Sequence, residues 1–369
     1  MNICYISNSA LPSDNAISLQ IINMCENFKL LGNNVSLILP NTGFKKSVKK
    51  FYDLKSNINI IRCNNFKKFP IGINYYLYSI SAILKSLKLN NDIYITRNYF
   101  CAFVLVLLRK ELIFELHHDL EIEGKIVRFL TKYFKFLKSK KIKLLVAITR
   151  GISQYYLKRD LIKKKSLVII PSASDLEFKY EKQKIYKKKF NIGYFGKFYE
   201  STGSNFMINL AKKDKRNKYY VFSKFFKNKI KISKSNNIYL NNFVDRKKIK
   251  THLQKMDILI LPYQGKIGVK GNIGDISKYT SPLKLFDYMA AGKLIIASEF
   301  NVLKEIVENK KNCIFVNDYK NVDQWIEIIN YYKKNIKEKN KISKNAYLLS
   351  KKYTYNKRAM LILNLIKQK

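Results

Sequence analysis

Short apolar runs alternate with helical stretches along most of the chain, and that alternation leaves few architectures open. Asn2 to Ser7, Asn34 to Pro40, Asn57 to Cys63, Asp92 to Thr96, Leu112 to Leu116, Leu144 to Thr149 and Ser166 to Ile170 read as strands. Between the first two, Ile17, Ile21, Met24, Cys25, Phe28 and Leu31 recur at helical spacing and stop at Gly32, which makes a βαβ unit. Strands apolar on both faces tolerate solvent on neither, so they belong in a parallel sheet covered by helices. The predicted class is α/β.

From Lys179 to Lys189 the apolar period lapses into lysine, tyrosine and glutamate, as in a linker. A second series follows. Phe190 to Gly196, Tyr219 to Ser223, Ile238 to Leu240, Asp257 to Pro262 and Leu294 to Ser298 read as strands, and Ser204 to Lys213 and Pro282 to Ala291 as helices. Glycines 265, 268, 271 and 274 sit three apart and read as one loop. The predicted domains are 1–185 and 186–350, with 351–369 a C-terminal helix able to cross back to the first. Two such domains put a cleft at the carboxyl ends of their sheets, where open α/β sheets bind ligands.

The 369 residues exceed what one core serves comfortably, and nearly half of them are apolar, which excludes a disordered chain. Met1 to Asn8 reads as a strand rather than a signal peptide, and runs such as Cys101 to Leu108 are too short to span a bilayer, which takes about 20 residues. A cytoplasmic protein, or one held on the inner face of the membrane, is predicted. The five cysteines are scattered, with no metal or disulfide spacing, and read as reduced thiols. The formal charge of +45 attracts phosphate-rich surfaces. Lysine and asparagine abundance throughout points to AT-rich coding as its main source, with local clusters left for function.

Chemistry concentrates in Tyr279-Thr280-Ser281-Pro282-Leu283-Lys284-Leu285-Phe286-Asp287-Tyr288-Met289-Ala290-Ala291-Gly292. Ser281 is a suitable N-cap, Pro282 a first helical residue and Gly292 a stop. A helix start of this kind offers unpaired amides to an anion, and Asp287 leans back toward it. A diphosphate on the amides and a ribose on Asp287 would fit.

The stretch from Ser281 to Ser298 resembles the nucleotide-binding signature of retaining glycosyltransferases of family 4, which have the GT-B fold of two Rossmann-like domains. Matches in the same order run through Asn2 to Ser7, Ile113 to His117, Val168 to Asp175, Asn191 to Lys197 and Met256 to Pro262. The resemblance implies a nucleotide-sugar donor, a glycan or lipid-linked acceptor of the cell envelope, and no cofactor or metal. By it, Lys197, Thr280, Ser281, Leu283 and Lys284 contact the donor phosphates and Asp287 its ribose. His117 lies by the acceptor, making His117 and Lys197 the catalytic pair. A lysine and oriented amides would stabilise the leaving diphosphate, consistent with the lack of an Asp-x-Asp motif.

Tyr279 stands where the family carries the first of two glutamates, Asp287 replaces the second, Thr202 replaces a lysine, and Ser13 to Ala16 replace a glycine-rich turn. These departures keep a catalytically degenerate scaffold open as an alternative. A nucleic-acid binder, the other alternative, would need stacking aromatics beside basic residues or a reading motif, and neither occurs. Glu115, inside its strand, reads as structural. Phe129, Tyr133, Phe134, Phe136 and Leu137 read as the core face of a helix whose lysines face an anionic membrane.

Overall fold

The computed structural model describes every residue except 42, 44–46, 65, 67, 184–186, 198–199, 224–235, 268–274 and 369. Three of the spaced glycines, Gly268, Gly271 and Gly274, therefore lie outside the described residues, as does the middle of the lysine-rich stretch. The chain forms two compact units, Met1–Ser172 with Tyr355–Lys369, and Ala173–Thr354.

The first unit runs β1 (Asn2–Ile6), α1 (Ala16–Leu30), β2 (Asn34–Pro40), α2 (Val48–Tyr52), β3 (Asn59–Cys63), α3 (Ile71–Leu87), β4 (Ile93–Thr96), α4 (Tyr99–Leu107), β5 (Leu112–Leu116), α5 (Lys125–Phe134), β6 (Ile142–Ala147), α6 (Arg150–Lys158) and β7 (Leu167–Ile169). Its strands pair in parallel in the order β3-β2-β1-β4-β5-β6-β7. The second unit runs β8 (Asn191–Phe195), α7 (Ser204–Lys213), β9 (Lys218–Phe222), β10 (Ile238–Asn241), α8 (Arg246–Gln254), β11 (Ile258–Leu261), α9 (Leu283–Ala290), β12 (Leu294–Ser298), α10 (Asn301–Lys304), β13 (Ile314–Val316), α11 (Val322–Lys334) and α12 (Ile336–Ser350). It repeats the topology as β10-β9-β8-β11-β12-β13, again parallel. The last helix, α13 (Tyr355–Lys367), belongs to the first unit and packs on α1.

Each order reverses beside its first strand, at β1/β4 and at β8/β11, and those switch points fix where each unit can bind a ligand. The second sheet is covered on both sides, as strands such as Ile-Leu-Ile-Leu of β11 require. Phe286, Met289 and Leu303 bury one face, and Met207, Trp325 and Ile329 the other.

Where composition suggests a linker, the chain packs on the second unit. The Tyr180 hydroxyl donates to the Asn340 carbonyl over 2.8 Å, the Asn340 side-chain amide donates to the Gln183 carbonyl over 2.9 Å, and Lys187 reaches Asp257 over 2.7 Å. Isolated anchors on an otherwise polar segment leave no periodic signal. Nor is β13 foreseen, since three residues carry no period. The aromatic stripe of α5 departs from its core assignment. Phe136 and Leu137, beyond the helix, are buried, but α5 itself buries Val127 and Thr131 and leaves Phe129, Tyr133 and Phe134 outside. Amphipathic spacing says which face is apolar, not what covers it.

Candidate functional site

In the second unit, polar groups gather at the carboxyl ends of β8 and β11. The chain leaves β8 through Gly196, whose φ of 136° suits glycine and where a Cβ would sit 3.2 Å from the Lys284 Nζ. Gly203 is held against Pro262, where a Cβ would stand 2.1 Å from a carbonyl oxygen, so no side chain fits. Between them the Tyr194 and Thr202 hydroxyls both donate to the Lys197 carbonyl, over 2.6 and 2.8 Å, which fixes the Lys197 backbone while its side chain stays exposed.

Helix α9 starts one residue later than its sequence suggests. Pro282, with φ −71° and ψ 120°, is the extended N-cap in place of Ser281, and no side chain caps it. The Leu285 amide bonds to the Pro282 carbonyl, which leaves the Leu283 and Lys284 amides at the positions without an intrahelical acceptor. Their partial positive charge is joined by Lys284, which is partly buried. Its Nζ donates to the Tyr194 hydroxyl over 2.9 Å and lies 4.3 Å from that ring's centroid and 5.3 Å from that of Tyr263. No carboxylate of a described residue pairs with it. Burial alone would lower its pKa, but Tyr194 and Tyr263 outweigh burial and hold it above the ordinary lysine value, so the ammonium stays charged. Tyr288 ties the same helix to β8, its hydroxyl accepting from the Phe195 amide over 2.9 Å.

Asp287 is buried and already engaged. Arg246, at the start of α8, grips it with two bonds of 2.7 and 2.9 Å, and the Ser174 hydroxyl donates over 2.6 Å. The same guanidinium bonds Asp175 through both Nε and Nη2. Burial opposes its charge, but the two carboxylates reverse that and hold its pKa well above the usual arginine value. Each carboxylate oxygen has two lone pairs, so Oδ2, which takes one bond, keeps one for a further donor. Thr280 precedes the helix with its amide bonded to the Ile276 carbonyl over 2.8 Å.

In the first unit a cavity of about 150 Å³ opens at the carboxyl ends of β1, β4 and β5 and is lined by Ser7, Arg97, Asn98, Glu115, His117 and Glu123 among others. Its floor is ionic. Glu115, buried in β5, accepts from Arg358 of α13 over 2.8 Å and from the Tyr5 hydroxyl over 3.1 Å. His117 Nε2 lies 3.3 Å from the same carboxylate. Burial, reinforced by Arg97, lowers the His117 pKa to about 3, so its imidazole is neutral near pH 7. With its Nε2–H directed at Glu115, Nδ1 is left as an acceptor. Burial pushes Glu123 up to about 7. Its Oε1 lies 3.4 Å from His118 Nε2, whose Nδ1 faces the Asp119 carbonyl over 2.8 Å. One Arg97 nitrogen, Nη1, is buried with no hydrogen-bond partner among the described residues.

Residues 205–364 match the family model described as glycosyl transferase-like. Sucrose-phosphate synthase from Thermosynechococcus elongatus superposes with a TM-score of 0.76 at 12% identity, covering 100% of this chain and 98% of that one. Anabaena HepE in complex with UDP gives 0.73 at 13% identity over the whole of both chains, and a glycosyltransferase from Rickettsia africae 0.71 at 16%, covering 100% of this chain and 98% of that one. No curated protein sequence matches. The fold is GT-B.

Within this GT-B chain, Lys197, Thr280, Ser281, Leu283, Lys284 and Asp287 all fall in the second unit, around the end of β8 and the start of α9, and His117 falls in the first. Sequence reading missed Arg246, Arg97 and Glu123. Arg246 stands in a helix rich in lysine, where nothing distinguishes it from a solvated cation. Glu123 lies in a short turn before α5, and only partial burial by other elements gives it chemistry. For Arg97, a signal exists: it directly follows a β4 strand ending beside β1.

Proposed function

We propose that this protein is a glycosyltransferase that moves a sugar, with retention, from a nucleoside diphosphate donor to a glycan or lipid-linked acceptor of the cell envelope, at the cytoplasmic side. One observation carries the reading. Lys284 holds a charged ammonium among neutral hydroxyls and rings at the uncapped start of α9, an arrangement short of one anion. The family match over residues 205–364 supports a sugar transfer, and structural neighbours were solved with UDP, with UDP-glucose, and with UDP and a GlcNAc-glycerol.

In this reading the diphosphate rests on the Leu283 and Lys284 amides, near Thr280 and Ser281, with Lys284 and Lys197 over its oxygens, and a ribose hydroxyl donates to the free lone pair of Asp287. The anomeric carbon–oxygen bond breaks as charge collects on the diphosphate, which these cations stabilise. The acceptor oxygen bonds to the same face of that carbon, and its proton ends on the departing phosphate. His117, neutral and fixed by Glu115, accepts a hydrogen bond from the acceptor and orients it.

Titration with nucleoside diphosphates and their sugars tests the donor half. Binding should fall in Lys197→Ala, Lys284→Ala and Asp287→Ala, while His117→Ala should keep binding and lose transfer. Equal binding by wild type and all three donor-site variants would sink the assignment. Tight donor binding with neither transfer nor donor hydrolysis would identify a degenerate scaffold.

A further inference from the structure

The first unit carries an apolar face that its own core leaves uncovered. On α5, Ile126, Phe129, Leu130, Tyr133 and Phe134 recur at i, i+3, i+4, i+7 and i+8 and so share one side of the helix. Phe129 is 58% exposed, Tyr133 72% and Phe134 52%, whereas Val127 and Thr131 make the buried side. Phe129 and Tyr133 stack on each other at 5.3 Å, in solvent.

Neighbouring helices extend this surface. Phe103 of α4 packs on Phe134 at 5.4 Å, and Leu107 and Leu108 continue outward from there. Phe100 meets Tyr76 of α3 at 4.9 Å, and α3 adds exposed Ile73, Ile80 and Leu84. Soluble monomers rarely leave so many large apolar groups side by side on adjoining helices without a use.

Charge identifies the occupant. Lys125, Arg128, Lys132, Lys135, Lys138 and Lys140 border α5, against two acids, Glu121 and Asp160, that pair with four of them. A second copy would press the same basic rim against itself, in a chain whose formal charge is already +45. An anionic bilayer reverses that sign: its headgroups attract the rim while the aromatics enter the interface. Among the described residues no helix is long and apolar enough to cross a membrane, which leaves attachment at the surface.

We propose that the α3–α4–α5 face of the first unit docks this protein on an anionic lipid bilayer, with Phe129 and Tyr133 in the headgroup layer and the lysines beside α5 on the lipid phosphates. This inference does not depend on the donor assignment, because none of its residues belongs to the second unit.

The full-length chain is sedimented with phosphatidylcholine vesicles, with and without phosphatidylglycerol. The expected result is salt-sensitive binding to the phosphatidylglycerol vesicles alone, weakened on the order of tenfold or more in Phe129→Ser/Tyr133→Ser. These side chains are exposed, so the variant should melt with the wild type. Phe129→Trp gives a readout that needs no loss of function: its emission should shift to the blue on phosphatidylglycerol vesicles, against the buried background of Trp325. Undiminished binding by the serine pair, an unmoved Phe129→Trp emission, or no preference for phosphatidylglycerol would each overturn the proposal. So would a dimer in light scattering that the serine pair dissociates, since that assigns the face to a second copy. Nucleoside diphosphate titration of the same samples should be unaffected throughout, so failure here and failure of the donor site read differently.

Discussion

Replacing Arg246 by methionine isolates the feature of the second unit that sequence reading missed. The substitution keeps much of the side-chain volume and deletes both bonds to Asp287 and the contact with Asp175. Breaking a buried ion pair from one side costs about 3–5 kcal/mol, because the abandoned charge stays buried. Side-chain exposures of 12% for Arg246, 9% for Asp287 and 25% for Asp175 place this site near the lower bound, at about 3 kcal/mol. For a unit of this size that lowers the melting temperature by roughly 6–12 °C. If the damage comes from the stranded carboxylate, Arg246→Met/Asp287→Asn should regain about 1–2 kcal/mol, since the neutral amide still accepts from Ser174 and no buried charge is left over. Calorimetry on wild type, both single variants and the double variant closes the cycle. A melting temperature for Arg246→Met within a degree or two of wild type, or simple additivity in the double variant, would refute the clamp.

Three further outcomes are expected. Lys284→Met should weaken nucleoside diphosphate binding on the order of ten- to a hundredfold, the worth of one charge-assisted bond, in titration calorimetry, without lowering the melting temperature in scanning calorimetry. Glu123, raised from 4.5 to about 7, binds its proton more tightly folded than unfolded, so it costs stability as pH rises from about 4.5 to 7. Glu123→Gln should therefore leave stability unchanged near pH 4 and raise it by about 2–3 kcal/mol at pH 8, in chemical denaturation at the two pH values. Arg358→Ala strands Glu115 in the first core and should cost about 3–5 kcal/mol, whereas trimming the exposed Met360 on the same helix should cost under about 0.5, by the same assay.

Much of this was legible in the chain because it is written in local chemistry. β1, β2, β11 and β12 carry apolar residues on both faces, and such strands allow only a parallel sheet under helices, so both Rossmann-like units follow from their spacing. Likewise Pro282 and Gly292 bracket α9 to within a residue, because a fixed φ and an achiral Cα each admit few backbone states. Tertiary structure alone decided what those elements meet. Lys284 and Tyr194 are 90 positions apart, Arg246 and Asp287 41, and Arg358 and Glu115 243. No local pattern records such pairings. Nor does any window of sequence show that Phe129 and Tyr133 look outward while Glu123 is largely covered. Exposure belongs to the neighbours a residue acquires on folding, and so do the charge state of Glu123 and the unmatched ammonium of Lys284.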